Sequence, residues 1–136
     1  MKSLPAVFVV DDEEPIRRAF EILLRRQSIA VRTFASAEAF LELYSVDWAG
    51  CLFADVRMPN MSGSELYEEL RRRNTSLSII LMTGHGSTDS LRDLLGSETI
   101  VLEKPLSAEE LQEIVRFQWS RFFDGDDPRR FDSGNS

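Results

Sequence analysis

Cysteine and histidine are almost absent from this chain, and their scarcity argues against several kinds of small protein. Cys51 is the only cysteine, so no disulfide can form within the chain. Its place in an apolar run is typical of a small buried residue, which fits a reducing compartment. His85 is the only histidine and has no cysteine or histidine companion, so a zinc site is disfavoured.

Positive charge and long apolar runs are also lacking. The 16 Lys and Arg residues are outnumbered by 23 Asp and Glu, and the net charge of −7 argues against binding nucleic acid by bulk charge. No stretch approaches the roughly 20 apolar residues that a membrane helix needs. The start of the chain leads straight into a short strand-like run, unlike a signal peptide. We therefore expect a cytoplasmic protein without a direct membrane or nucleic-acid contact.

What the chain does contain is a regular alternation of strand-like and helix-like segments. Apolar runs predict strands at residues 6–10, 30–34, 51–55, 79–83 and 99–102. Capping boxes that start at Ser62 and Ser107 predict the beginnings of two helices. The fourth helix has the weakest pattern, with an apolar face of Leu91, Leu94 and Leu95 and Gly96 at its end. Five such units predict an α/β fold with a parallel sheet and helices on both faces.

Polar side chains stand at four of the predicted strand ends. Asp11 and Asp12 follow the first strand and Asp55 ends the third, while Thr83 and Lys104 close the fourth and fifth. Each has an ordinary explanation taken alone, such as a turn residue or a favourable charge before a helix. Because parallel strands present their carboxyl ends at one edge of the sheet, we expect these five side chains to share a pocket.

In these motifs the chain resembles the response-regulator receiver family. The resemblance covers nearly all of residues 5–122, and it depends on four motifs in order, namely Val10–Glu13, Asp55–Gly63, Thr83-Gly84 and Lys104-Pro105. It implies the flavodoxin-like (βα)5 fold with a five-stranded parallel sheet. It also implies a receiver domain, which we assign to residues 1–123. Residues 124–136 are rich in Asp, Gly, Ser and Arg, which predicts a disordered tail or linker.

The resemblance further implies a signalling switch that is phosphorylated on Asp55 by a histidine kinase or a histidine phosphotransfer protein. Thr83 would bind the phosphoryl group and Lys104 would pair with it. The implied ligands of Mg²⁺ are the carboxylates of Asp11, Asp12 and Asp55 and the backbone carbonyl of Arg57. Phosphoryl transfer to a carboxylate requires such a site for a separate reason. The carboxylate must approach an anionic phosphoryl group, so it needs a cation nearby, and Mg²⁺ prefers oxygen ligands.

Three other function classes are compatible with parts of the pattern. A haloacid-dehalogenase-like phosphatase needs a second Asp two residues after its nucleophile, but that position holds Arg57. A flavodoxin-type electron carrier needs a phosphate-binding loop after the first strand, where the acids from Asp11 to Glu14 would repel phosphate. An interaction module that is never phosphorylated stays open as the alternative to a switch. We expect no small-molecule enzyme.

Two features of the chain concern the outer faces of the domain. The aromatic that the family usually carries three residues before the pocket lysine is Val101 here, and the span from Thr83 to Lys104 is about one residue short. Near the end of the last helix, Trp119, Phe122 and Phe123 predict a contact with a second copy or an adjoining effector domain. The alternative is that this stretch folds back onto its own core.

Overall fold

The computed structural model describes residues 4–84, 88–96 and 99–119, which fold as five strands alternating with five helices. The predicted tail at residues 124–136 and His85 lie outside these ranges. The elements are β1 Ala6–Val10, α1 Glu14–Arg25, β2 Val31–Phe34, α2 Ala37–Leu43, β3 Gly50–Asp55, α3 Gly63–Arg72, β4 Ser78–Thr83, α4 Thr88–Leu95, β5 Ile100–Glu103 and α5 Ala108–Trp119.

All five strands form one parallel sheet in the order β2-β1-β3-β4-β5. The register pairs Val10 with Ala54 and Asp55 with Met82, so β1, β3 and β4 end at the same edge. The predicted α/β fold is therefore confirmed, and the predicted strand limits agree with the structure to within one residue.

The sheet has an apolar core on each of its faces, because successive side chains of a strand point to opposite sides. On one face, Phe8 and Leu52 pack with Phe40 of α2 and Leu66 of α3. On the other face, Val9 and Phe53 pack with residues of α1 and α5 that include Phe20, Leu24, Leu111, Val115 and Trp119. Cys51 is fully buried in this second core, as predicted.

Both predicted capping boxes are present. The Ser62 hydroxyl accepts a hydrogen bond from the Glu65 backbone N–H at 3.1 Å, and the Glu65 carboxylate accepts from the Ser62 N–H at 2.9 Å. Ser107 and Glu110 make the same reciprocal pair at the start of α5. Local hydrogen bonds therefore determine where α3 and α5 begin.

The predicted apolar face of α4 is wrong at one position. Leu91 is buried and Leu95 is partly buried, but Leu94 is 74% exposed. Successive residues of a helix are rotated by about 100°, so Leu91 and Leu95 lie close together and Leu94 falls beside their stripe. Gly96 follows the last helical residue with φ of +114°, as expected of a residue that ends a helix.

The predicted outer contact is wrong for Trp119, the one residue of residues 119–123 that the structure describes, and for this residue the alternative applies. Trp119 is 4% exposed and packs in the core between α1, α5 and the sheet. Leu111, Val115 and Trp119 recur at intervals of four, which places all three on the face of α5 that covers the sheet. Phe122 and Phe123 lie outside the described residues.

Within the described ranges, no helix has both the length and the apolar character that crossing a membrane requires.

Candidate functional site

Three carboxylates meet at the carboxyl edge of the sheet. Asp11 and Asp12 follow β1, and Asp55 is the last residue of the adjacent strand β3. One oxygen from each of the three lies within 4.8 Å of the others. Asp11 and Asp55 are buried whereas Asp12 is exposed, so the cluster lies at the surface with its inner wall shielded from water.

Asp11 is held by contacts on both its backbone and its side chain. Its N–H donates to the carbonyl of Phe34 on β2 at 3.1 Å, and its carbonyl accepts from Arg17 Nη1 at 2.7 Å. Its Oδ1 accepts from the Glu13 N–H at 2.9 Å. The other oxygen, Oδ2, is buried and accepts no hydrogen bond from the described residues. Oδ2 is therefore the oxygen of Asp11 that a ligand would share with the Lys104 ammonium, which lies 3.1 Å away.

Lys104 brings a positive charge to the same point. Its Nζ donates to Asp55 Oδ2 at 3.1 Å and lies 3.1 Å from Asp11 Oδ2, an ion pair that lacks hydrogen-bond alignment. Glu13 Oε1 is 3.9 Å away, but its side chain is 62% exposed, so solvent weakens that attraction. The backbone N–H of Lys104 donates to the Thr83 carbonyl at 2.7 Å, and this hydrogen bond joins the end of β5 to the end of β4.

Burial and charge shift the pKa of two groups in the cluster. Burial raises the pKa of Asp11, and the Asp55 carboxylate adds to this, against the opposing effects of the Glu13 N–H and Lys104. Burial on its own would lower the pKa of Lys104, but the pairing with Asp11 and Asp55 outweighs it and the pKa is raised. Lys104 therefore stays charged at neutral pH, while an ionised Asp11 costs free energy.

The loop after Asp55 is held tightly against the start of α3. Asp55 Oδ1 accepts from the Arg57 N–H at 3.2 Å, and the Gly63 N–H donates to the Val56 carbonyl at 3.1 Å. A Cβ at Gly63 would lie 2.4 Å from the Asp55 carbonyl oxygen, so only glycine fits there. The proposed use of the Arg57 carbonyl as a metal ligand stays a prediction.

Thr83 is buried at the end of β4, one residue beyond the Asp55–Met82 pair. The structure therefore places all five residues of the predicted pocket along the carboxyl edge of the sheet. Sequence reasoning missed Arg17. Its position on α1, six residues after Asp11, is the only signal that could have found it.

The residues at this edge fit a divalent cation with a preference for oxygen. The cluster offers three carboxylates, and buried Asp11 Oδ2 accepts no aligned hydrogen bond from the described residues, although the Lys104 ammonium lies 3.1 Å away. Mg²⁺ takes hard oxygen ligands and commonly keeps several waters, which the exposed Asp12 side permits. A buried carboxylate pair beside a single lysine also carries excess negative charge that a cation would neutralise.

Comparison with known proteins decides the family. The family model of the response regulator receiver domain matches residues 7–116. This chain belongs to that family. Its membership places the domain in two-component signal transduction, among signalling domains rather than metabolic enzymes of small molecules.

Relatives of this receiver domain include regulators from Azorhizobium and Bradyrhizobium. The transcriptional regulatory protein FixJ of Azorhizobium caulinodans is 38% identical over 122 residues, which cover 88% of this chain and 57% of FixJ. Nodulation protein W of Bradyrhizobium diazoefficiens is 37% identical over 110 residues, or 80% of this chain and 48% of that protein. The receiver domain thus spans about half the length of these curated relatives.

A solved structure agrees with the fold. The response regulator StyR matches with a TM-score of 0.73 and 31% identity, over 88% of this chain and 63% of that one.

Proposed function

We propose that this receiver domain accepts a phosphoryl group on Asp55 from the phosphohistidine of a histidine kinase or a histidine phosphotransfer protein. One observation carries the proposal: the Asp55 carboxylate lies in a cluster with two other acids and hydrogen-bonds Lys104. This arrangement supplies a nucleophile, a cation-binding group and a fixed positive charge at one point. The same proposal makes the domain cytoplasmic, since its phosphodonor is an intracellular kinase.

In the proposed transfer, an oxygen of Asp55 attacks phosphorus, and the P–N bond of the phosphohistidine breaks as the new P–O bond forms. The imidazole leaves with the electron pair of the broken bond. Lys104 Nζ, already 3.1 Å from Asp55 Oδ2, offsets negative charge on the phosphoryl oxygens. The Thr83 hydroxyl donates a hydrogen bond to one of them. Asp11, Asp12, Asp55 and the Arg57 carbonyl would hold Mg²⁺, which supplies charge neutralisation when bound.

Phosphorylation would then change how the domain contacts its partners. Because the chain spans only part of its relatives, we propose that the output belongs to a further domain or to a second copy. FixJ is named as a transcriptional regulator, which makes control of transcription the output we propose for this chain. Any contact with nucleic acid would be made by that other domain.

Acetyl phosphate with Mg²⁺ tests the proposal, with intact mass spectrometry as the measurement. The wild type should gain one phosphoryl group, and Asp55→Asn or an excess of chelator should abolish the gain. Asp47→Asn, which alters an exposed acid after α2, serves as the control and should be labelled like the wild type. A wild type that stays unlabelled would instead support the unphosphorylated interaction module, and labelled Asp55→Asn would refute the assignment.

A further inference from the structure

Arg17 lies beside the acid cluster but contacts no carboxylate of it among the described hydrogen bonds and ion pairs. Its Nη1 donates to the backbone carbonyl of Asp11 at 2.7 Å, across a separation of six residues. The side chain is partly buried and sits in the N-terminal part of α1. A cation is unfavourable near the positive end of a helix, so this position needs a compensating contact.

The carbonyl that Arg17 binds belongs to the peptide unit joining Asp11 to Asp12. Because a peptide unit is planar, fixing its oxygen also fixes the direction in which the chain enters Asp12. The Glu13 N–H already occupies Asp11 Oδ1, and Phe34 already accepts from the Asp11 N–H. The Arg17 contact therefore holds the remaining backbone group of Asp11, with Oδ2 left turned toward Lys104 and the centre of the cluster.

We propose that Arg17 is a positioning residue for the divalent cation, an inference that rests on the proposed function. It acts through the Asp11–Asp12 peptide and sets the two carboxylates that follow β1 in place for the metal. The contact resembles the outer hydrogen bonds that orient metal ligands in other proteins, whose loss typically costs about 10- to 100-fold in affinity or activity.

The direction in which Mg²⁺ affinity changes when Arg17 is removed distinguishes a positioning role from a purely electrostatic one. A guanidinium this close to the cluster repels a cation, so its removal should tighten Mg²⁺ binding if charge alone mattered. Loss of positioning should instead weaken Mg²⁺ binding. Arg18 offers a matched control, because it is the next residue of the same helix, carries the same charge and is exposed.

The test is isothermal titration of the full chain with MgCl₂. Arg17→Met, which keeps the apolar stem without a donor, should raise the Kd about 10-fold, while Arg18→Met should not raise it. Arg17→Lys should recover part of the affinity, because the structure uses a single donor. Thermal unfolding without metal checks that each variant is folded, and Arg17→Ala replaces Arg17→Met if that variant does not fold.

Each outcome assigns the failure to one proposal. Weaker binding in Arg17→Met, with Arg18→Met unchanged, supports positioning. Mg²⁺ binding to Arg17→Met that equals or exceeds wild-type affinity overturns the role of Arg17 and leaves the proposed function intact. A wild type that binds no Mg²⁺ overturns the role of Arg17, and labelling of Asp55 by acetyl phosphate then decides the proposed function separately.

Discussion

At the residue scale, the pocket places Asp11 where its negative charge is poorly solvated. The carboxylate is fully buried with Asp55 as a neighbour, and Lys104 is shared between the two acids. The raised pKa of Asp11, caused first by burial and then by Asp55, means that the native state holds this proton more tightly than the unfolded chain does. Metal-free protein should therefore carry a stability cost that Mg²⁺ removes.

Asp11→Asn should accordingly stabilise the metal-free protein at neutral pH, because a neutral amide avoids the cost of a buried charge. In the wild type, stability should fall as pH rises from the ordinary value of 3.8 through the raised pKa. The advantage of Asp11→Asn should thus be largest at neutral pH and shrink toward pH 4. Urea unfolding at several pH values measures it.

With Mg²⁺ present, the wild type should become more stable than Asp11→Asn. A ligand that binds only the native state stabilises the wild type, whereas Asp11→Asn has lost one of the ligand oxygens. Asp47→Asn, an exposed acid, is the control and should shift neither curve. If Asp11→Asn were less stable than the wild type at neutral pH without metal, a buried Asp11 charge would not be a stability cost.

At the scale of elements, the junction of β3 and α3 sets the position of Asp55. The Gly63 N–H reaches the Val56 carbonyl, and the backbone there comes so close to Asp55 that a Cβ would lie 2.4 Å from its carbonyl oxygen and 2.9 Å from its carbonyl carbon. Those neighbours are backbone atoms and cannot rotate aside. The glycine therefore permits the helix to start directly against the strand end.

Gly63→Ala should lower the free energy of unfolding by about 1–3 kcal/mol, as overpacking of a close contact does. It should also slow labelling by acetyl phosphate, because the backbone at Asp55 must shift to make room for the Cβ. Gly84→Ala is the stability control, since a Cβ at that position would have no heavy atom within 4 Å. Equal unfolding curves for the wild type and Gly63→Ala would show that the loop can give way without cost.

At the scale of the whole molecule, α5 closes the core on the α1 side of the sheet. Trp119 fills the end of that core with Leu111 and Val115 of the same helix, while Phe117 on the same turn is 66% exposed. The helix thus has one large aromatic inside and one outside within three residues. Substituting the buried Trp119 tests the stability of the fold, whereas substituting the exposed Phe117 tests a surface of the helix.

Trp119→Ala should destabilise the domain by about 3–5 kcal/mol, the usual cost of removing a large buried aromatic. Phe117→Ala should change stability by far less, because most of its ring is in solvent. Chemical unfolding followed by far-ultraviolet circular dichroism measures both variants without depending on the lost tryptophan. A Trp119→Ala protein as stable as the wild type, but altered in sedimentation, would restore the interface interpretation.

The sequence by itself determined the features that depend on local spacing. The apolar runs predicted the strands, the Ser62 and Ser107 boxes predicted two helix starts, and polar residues at strand ends predicted a shared pocket. The strands and helix starts agree with the structure because apolar periodicity and hydrogen-bond caps act over a few residues. The five polar residues lie along one edge because parallel strands end together there, and their action as one site stays a prediction. Position along each element is enough to state these inferences.

Only the tertiary structure decided which helix residues are buried, which side chains contact Asp11 and how closely the backbone approaches Asp55. Leu94 and Trp119 have similar apolar character, but packing leaves the first exposed and buries the second. The hydrogen bond from Arg17 to the Asp11 carbonyl and the approach of Gly63 to Asp55 depend on distances between elements that no local pattern encodes. The physical reason is that burial and electrostatic interactions depend on distances between residues in space, and those distances are set only when the elements pack together.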